Sequence, residues 1–287
     1  MTSSFFTQIG SDIDGEAAHD QYGFSVSLSS DGSVVAIGAP FNDDISHRSG
    51  HVRIYKNVND TWTQVGSDID GEGHVDELGY SVSLSSDGSV VAIGAPEGDG
   101  YSNGLVRIYK NINNTWTKVG ADINGEASGD DFGTSVSLSS DGSVVAIGAP
   151  EADGYSNGHV RIYKNINDTW TQLGSDIDGE ASGDYFGISV SLSSDGSLVA
   201  IGASENNDNG RLSGHVRIYK NINDTWTQVG SDIDGEAAYD YSGTSVSLSS
   251  DGSVVAIGAY GNTGNNHSGH VRIYKNVNDT WTQLGSD

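Results

Sequence analysis

Phe24-Ser25-Val26-Ser27-Leu28-Ser29-Ser30-Asp31-Gly32-Ser33-Val34-Val35-Ala36-Ile37-Gly38-Ala39 carries the decisive pattern. Its first six residues alternate apolar and polar, the period of a strand with one buried face. Asp31-Gly32 reads as a hairpin turn of type I′, in which both central residues need positive φ. Val34 to Ala39 is almost wholly small or β-branched, as expected of a strand in a crowded centre. Downstream, a variable loop leads to His51-Val52-Arg53-Ile54-Tyr55-Lys56, which alternates again. A polar turn over Asn57 to Asp60 then leads to Thr61-Trp62-Thr63-Gln64-Val65. Four strands, three hairpins and no helix predict one propeller blade.

The unit recurs. Gly-Ser-Asp-Ile-Asp-Gly-Glu begins at Gly10 and returns with small changes at Gly66, Gly120, Gly174 and Gly230, and a truncated start falls at Gly285. Repeats of this length without helical periodicity suit blades better than leucine-rich or ankyrin units. The sequence therefore predicts an all-β chain, residues 1–287 forming one domain of repeats near 10–65, 66–119, 120–173, 174–229 and 230–284. The expected architecture is a five-bladed β-propeller of four-stranded antiparallel blades. Each isolated sheet would leave both apolar faces wet, so neighbouring copies must cover one another. Trp62, Trp116, Trp170, Trp226 and Trp281 share one repeat position and are expected between adjacent sheets. Phe5–Ile9 matches Trp281–Leu284, so a terminal strand is expected to close the ring. That strand type occurs once more than the others, which leaves a surplus copy able to pair with another molecule.

Composition narrows the function classes. The net charge of −26 repels phosphate backbones and argues against nucleic-acid binding. No apolar run approaches the roughly 18 residues of a membrane helix, so membrane insertion is not expected. Met1 to Phe6 has neither the basic nor the apolar region of a signal peptide. Without cysteine there is neither a disulfide framework nor a thiolate metal site.

Phe186-Gly187-Ile188-Ser189-Val190-Ser191 and Ile147-Gly148-Ala149-Pro150 resemble the FG-GAP repeats of integrin α-subunit propellers and their bacterial and algal relatives. The similarity spans essentially the whole chain. It implies a propeller used for adhesion or recognition, at a cell surface or outside the cell. The Phe-Gly pair varies here as Tyr22-Gly23, Leu78-Gly79, Phe132-Gly133 and Ser242-Gly243. Integrin propellers have seven blades rather than five. Their calcium loops, Asp-x-Asp-Gly-x-x-Asp in the first hairpin, are replaced by Ser-Ser-Asp-Gly, so those calcium residues do not carry over.

A different acidic motif offers hard oxygen ligands at close spacing. Its candidate metal residues are Asp12, Asp14, Glu16, Asp68, Asp70, Glu72, Asp176, Asp178, Glu180, Asp232, Asp234 and Glu236. No cofactor is required by the sequence. Calcium is the cation these groups would suit, and turn-capping carboxylates are the competing reading. His51, His159, His215 and His270 share a position that holds Leu105 in the second repeat, which favours packing over ligation. The arginines Arg53, Arg107, Arg161, Arg217 and Arg272 are expected to pair with the loop carboxylates.

Copies differ most after the second strand and just before the first, two connections that leave a blade at the same end. Phe41, Tyr101, Tyr155, Tyr239 and Tyr260 fall in these segments. They are the candidate ligand-binding residues of a non-enzymatic recognition scaffold for a protein or glycan. A carbohydrate-binding lectin and a purely structural repeat from a longer surface array are the alternatives. No nucleophile elbow, zinc-protease motif or phosphate loop is present.

Overall fold

The computed structural model describes residues 7–98, 103–152, 156–261 and 268–285. Five antiparallel sheets follow one another along the chain, with no α-helix among the described residues. In the first, β1 (Ser25–Leu28), β2 (Val34–Ala39), β3 (His51–Val58) and β4 (Thr61–Gln64) pair in chain order. A short strand, β5 (Ile69–Asp70), continues the outer edge by pairing with the start of β3. The second, third and fourth sheets repeat this plan, and the fifth ends on Thr280–Gln283.

Sequence chemistry explains the two tight hairpins. The Asp-Gly turn is not type I′: Gly32 has φ 70°, but Asp31 does not lie at positive φ. Gly32 N–H donates to the Ser29 carbonyl, and the Asp31 carboxylate accepts from Ser33 N–H and Ser29 Oγ. The loop is thus held by its side chains. Type I′ geometry belongs instead to Asn59-Asp60, with φ 52° and 61°, and it recurs in every repeat.

Successive sheets stack face to face. Val34, Ala36, Val52 and Ile54 of the first sheet pack against Leu84, Val91 and Ile93 of the second. Equivalent clusters join the second to the third, the third to the fourth, and the fourth to the fifth. Gly38 makes the approach possible, because a Cβ there would stand 2.1 Å from the Gly79 carbonyl oxygen of the next sheet. Ser25 Oγ donates to that carbonyl at 2.7 Å, and Ser27 Oγ accepts from Leu84 N–H at 2.9 Å. The tryptophans clamp the outer edge: Trp116 Nε1 donates to the Val65 carbonyl of the preceding sheet, and Trp170, Trp226 and Trp281 do the same one repeat on.

The expected closed ring is not what the ends display. Val26 and Leu28 on the first sheet are exposed, as are Val271 and Ile273 on the fifth, although their counterparts within the stack are covered. Among the described residues each sheet is built from strands of its own stretch of chain, with none from the far terminus. Ile9 sits where a preceding outer strand would, its carbonyl accepting from Trp62 Nε1 at 3.0 Å. Phe5 and Phe6, the start of the expected closing strand, lie outside the described residues. Among the described residues the molecule is a propeller-like stack of five sheets whose first and fifth sheets do not cover one another.

Candidate recognition edge and the polar nodes beneath it

The two variable connections meet physically. The loop after β2 hydrogen-bonds to the segment entering the next sheet: Val75 N–H donates to the His47 carbonyl and Glu77 N–H to that of Arg48. Tyr239 and Tyr241 make the same bonds to Arg211 and Leu212. Variation between repeats therefore gathers on one edge of the stack, as the strand order demands.

Aromatic rings cluster there in unequal groups. Phe24 lies 4.8 Å from Tyr80 and 6.3 Å from Phe41, and the Arg48 guanidinium stands 4.1 Å over the Phe41 ring. Tyr241 and Tyr260 stack at 4.9 Å, and Arg211 approaches Tyr239. Phe41, Tyr239 and Tyr260 are thus on the edge as the sequence suggested; Tyr101 and Tyr155 lie outside the described residues. Phe24, Tyr80, Tyr241, Arg48 and Arg211 join Phe41, Tyr239 and Tyr260 through contacts between residues distant in sequence, some within a repeat, as Tyr241 with Tyr260, and some across repeats, as Phe24 with Tyr80. Between the aromatic groups the edge is acidic. Burial first, then Glu97 and Glu151, push the Asp131 carboxyl up to about 6. Burial also raises Glu77, against the pull of Arg48.

Beneath this edge an arginine node recurs. Arg53 donates through Nε and Nη2 to Asp68 at 2.9 and 2.8 Å and also pairs with Glu16. Arg107 joins Glu72 and Asp122, Arg161 joins Glu126 and Asp176, and Arg217 joins Glu180 and Asp232. Arg272 pairs with Glu236. Burial pushes the Asp68 carboxyl up, but hydrogen bonds from Arg53 and Gln64 outweigh it and hold it below its ordinary value. Asp176 and Asp232 are held low by the same balance. Asp70 and Asp234 stand outside the arginine contacts, and burial raises both. Asp178 pairs by backbone register with His159. Asp12 and Asp14 are exposed, Asp12 accepting a bond from Gln8. The expected arginine–carboxylate pairing is present in every repeat, and in the first four sheets it binds the linker before the sheet to the linker after it.

Fold and edge together define a class: an all-β repeat stack of propeller type with loops displayed along one edge. Two segments, residues 13–55 and 176–219, match the FG-GAP repeat family. No curated protein sequence matches the chain. Among solved structures it is similar to a protein from Bacteroides uniformis provisionally named a 6-phosphogluconolactonase, with 14% identity, TM-score 0.61, and coverage of 92% of this chain and 71% of that one. Hydrazine synthase from Kuenenia stuttgartiensis gives 14% identity, TM-score 0.60, and coverage of 96% and 70%. TolB from Acinetobacter baumannii gives 16% identity, TM-score 0.52, and coverage of 92% and 54%. At such identities the likeness concerns the fold.

Proposed function

We propose that this chain is a non-enzymatic recognition scaffold whose loop edge binds a protein or glycan ligand. The observation that carries the reading is the contrast between a repeated framework and unequal aromatic–arginine groups along one edge. Half-exposed tyrosine and phenylalanine beside arginine supply rigid contact area with polar reach, the chemistry of binding loops. The groups around Phe41 and around Tyr260 differ in composition, which favours one extended ligand over repeated identical sugar pockets. The buried arginines below pair with exposed glutamates and half-buried aspartates of the linkers, a structural use. Adhesion at a surface outside the cell is the setting that the FG-GAP repeats suggest, and the acidic edge favours a partner with basic groups.

The test is a parallel screen of the tag-free chain against glycan and extracellular-protein arrays, repeated with Phe41→Ala, Arg48→Ala and Tyr260→Ala. Binding that weakens at least tenfold in one of these variants, with unchanged melting, supports the edge. Binding that survives all three and is lost on replacing residues of the Asn59-Asp60 hairpins would move the site to the opposite side.

A further inference from the structure

His51 and His215 occupy equivalent places in the first and fourth repeats and are fully buried, yet neither ring nitrogen of either one has a hydrogen-bond partner. An imidazole buried without partners costs free energy unless something binds it. Carboxylates surround both. His215 Nδ1 stands 3.9 Å from an Asp208 oxygen and 3.9 Å from an Asp232 oxygen. His51 Nδ1 stands 3.9 Å from Asp44. These gaps are too long for hydrogen bonds. They suit two ligands of one ion, since bonds of about 2.1 Å place their ends about 3.4–4 Å apart.

The surroundings look built for this use. Asp44 and Asp208 are presented by matching loops: Asn42 and Asn206 are buried, each accepts the backbone N–H of its aspartate, and each donates to Asp20 or Asp184. Glu180, Asp208, His215 and Asp232 bring one ligand atom apiece to within 4.8 Å of one another. Glu16, Asp44 and His51 do the same, as do His51, Asp68 and Asp70. Three carboxylates face one guanidinium in the fourth-repeat group, so a neutral imidazole leaves a charge near −2 to be balanced. The arginine bonds to Asp232 and Glu180 then act as the outer contacts that orient liganding carboxylates.

We propose that His51 and His215 each centre a divalent transition-metal site, with Zn²⁺ as the ion that mixed imidazole and carboxylate ligands suit best. The sites staple the variable loop of a repeat to the linkers on either side of it. They differ from the calcium loops weighed from the sequence, because an imidazole is a poor ligand for calcium.

The second repeat supplies the test variant. Leu105 stands at the same position and is buried, so His51→Leu and His215→Leu should fold. Tag-free protein is freed of metal with chelator and titrated with Zn²⁺ against a chromophoric competitor, and Co²⁺ uptake is followed by its visible absorption. Each histidine replaced should remove one bound equivalent, and Asp208→Asn should weaken the fourth-repeat site while leaving the first-repeat site unchanged. Zn²⁺ should raise the melting temperature of the parent chain and leave that of the double leucine variant unmoved. Undiminished Zn²⁺ uptake by the double variant, or no uptake by the parent, overturns the proposal.

The exposed end faces carry a second inference independently. We infer that the fifth sheet of one copy receives the first sheet of another. Its open face repeats the residues that bury each internal sheet, and it holds a 410 Å³ hollow lined by Ser245, Gly258, Tyr260 and Val271. Ser189 Oγ and Ser191 Oγ bond the following sheet, while Ser245 and Ser247, their equivalents, have no following sheet among the described residues. On the first sheet Val26 and Leu28 offer the matching surface, and an incoming Leu284 carbonyl would replace that of Ile9 on Trp62. Such a contact is head to tail. Sedimentation should show concentration-dependent assembly of the parent, monomers for Val271→Asp and for Leu28→Asp, and dimers when those two variants are mixed. A parent that stays monomeric, or a mixture that does, overturns it.

Discussion

The fourth and fifth sheets contain the same run, His-Val-Arg-Ile-Tyr-Lys-Asn, in strands of the same length and register. Val216 is 0% exposed and its twin Val271 is 66% exposed; Ile218 and Ile273 stand at 1% and 42%. Only the presence of a following sheet differs. Burial in this molecule is therefore a property of stacking, and an identical side chain contributes or not according to its neighbour. That is the behaviour of a one-dimensional array, in which stability is a sum of units and interfaces.

The largest effects should separate the twins. Val216→Asp places an unpaired charge in the fourth interface and should cost about 3–5 kcal/mol. Val271→Asp should lie within ~0.5 kcal/mol, as exposed substitutions do. Urea unfolding of dilute protein measures both, and equal losses would show that the fifth face is covered in solution. Next in size, Ile218→Ala should cost about 2–4 kcal/mol against under ~1 for Ile273→Ala.

Stacking also crowds charge, and this sharpens the contrast from the other side. Asp131 is pushed up to about 6 by burial and by Glu97 and Glu151, whereas Tyr241, its counterpart at the fifth sheet, stacks on Tyr260. The folded chain holds the Asp131 proton more tightly than the unfolded chain, so this group lowers stability above pH 6 and ceases to do so near pH 4. Asp131→Asn should therefore raise the melting temperature at pH 7–8, by an amount that shrinks as pH falls through 6. A gain that persists unchanged at pH 4 would refute the assignment.

The smallest effect is a control. Asn223 and Asn278 have the same φ of 52° in their two-residue turns. Replacement by alanine should cost each about 1 kcal/mol, with or without a following sheet. A marked difference between them in thermal unfolding would mean that stacking reaches into the hairpins.

Strands were legible wherever their cause was local. The alternation of Phe24–Ser29 and the small residues of Val34–Ala39 identified β1 and β2, and repetition carried them through the chain. The type I′ turn was misplaced because Asp31-Gly32 has the composition of one, while side-chain bonds from Ser29 and Ser33 select another geometry. Ring closure was illegible for a different reason: a repeat fixes what touches the next repeat, not the angle through which each one turns. The histidine sites were hidden because Glu180, Asp208, His215 and Asp232 come from separate segments. Leu105 also made the histidine position look like ordinary packing.

Among the described residues every sheet is assembled from one continuous run of chain, as β1 to β4 are, and none takes a strand from a distant terminus. A ribosome making this protein would release finished modules one after another, each ready to be capped by the next to emerge. Birth order and spatial order coincide, so duplicating or deleting a single repeat would lengthen or shorten the product without asking any other part to refold.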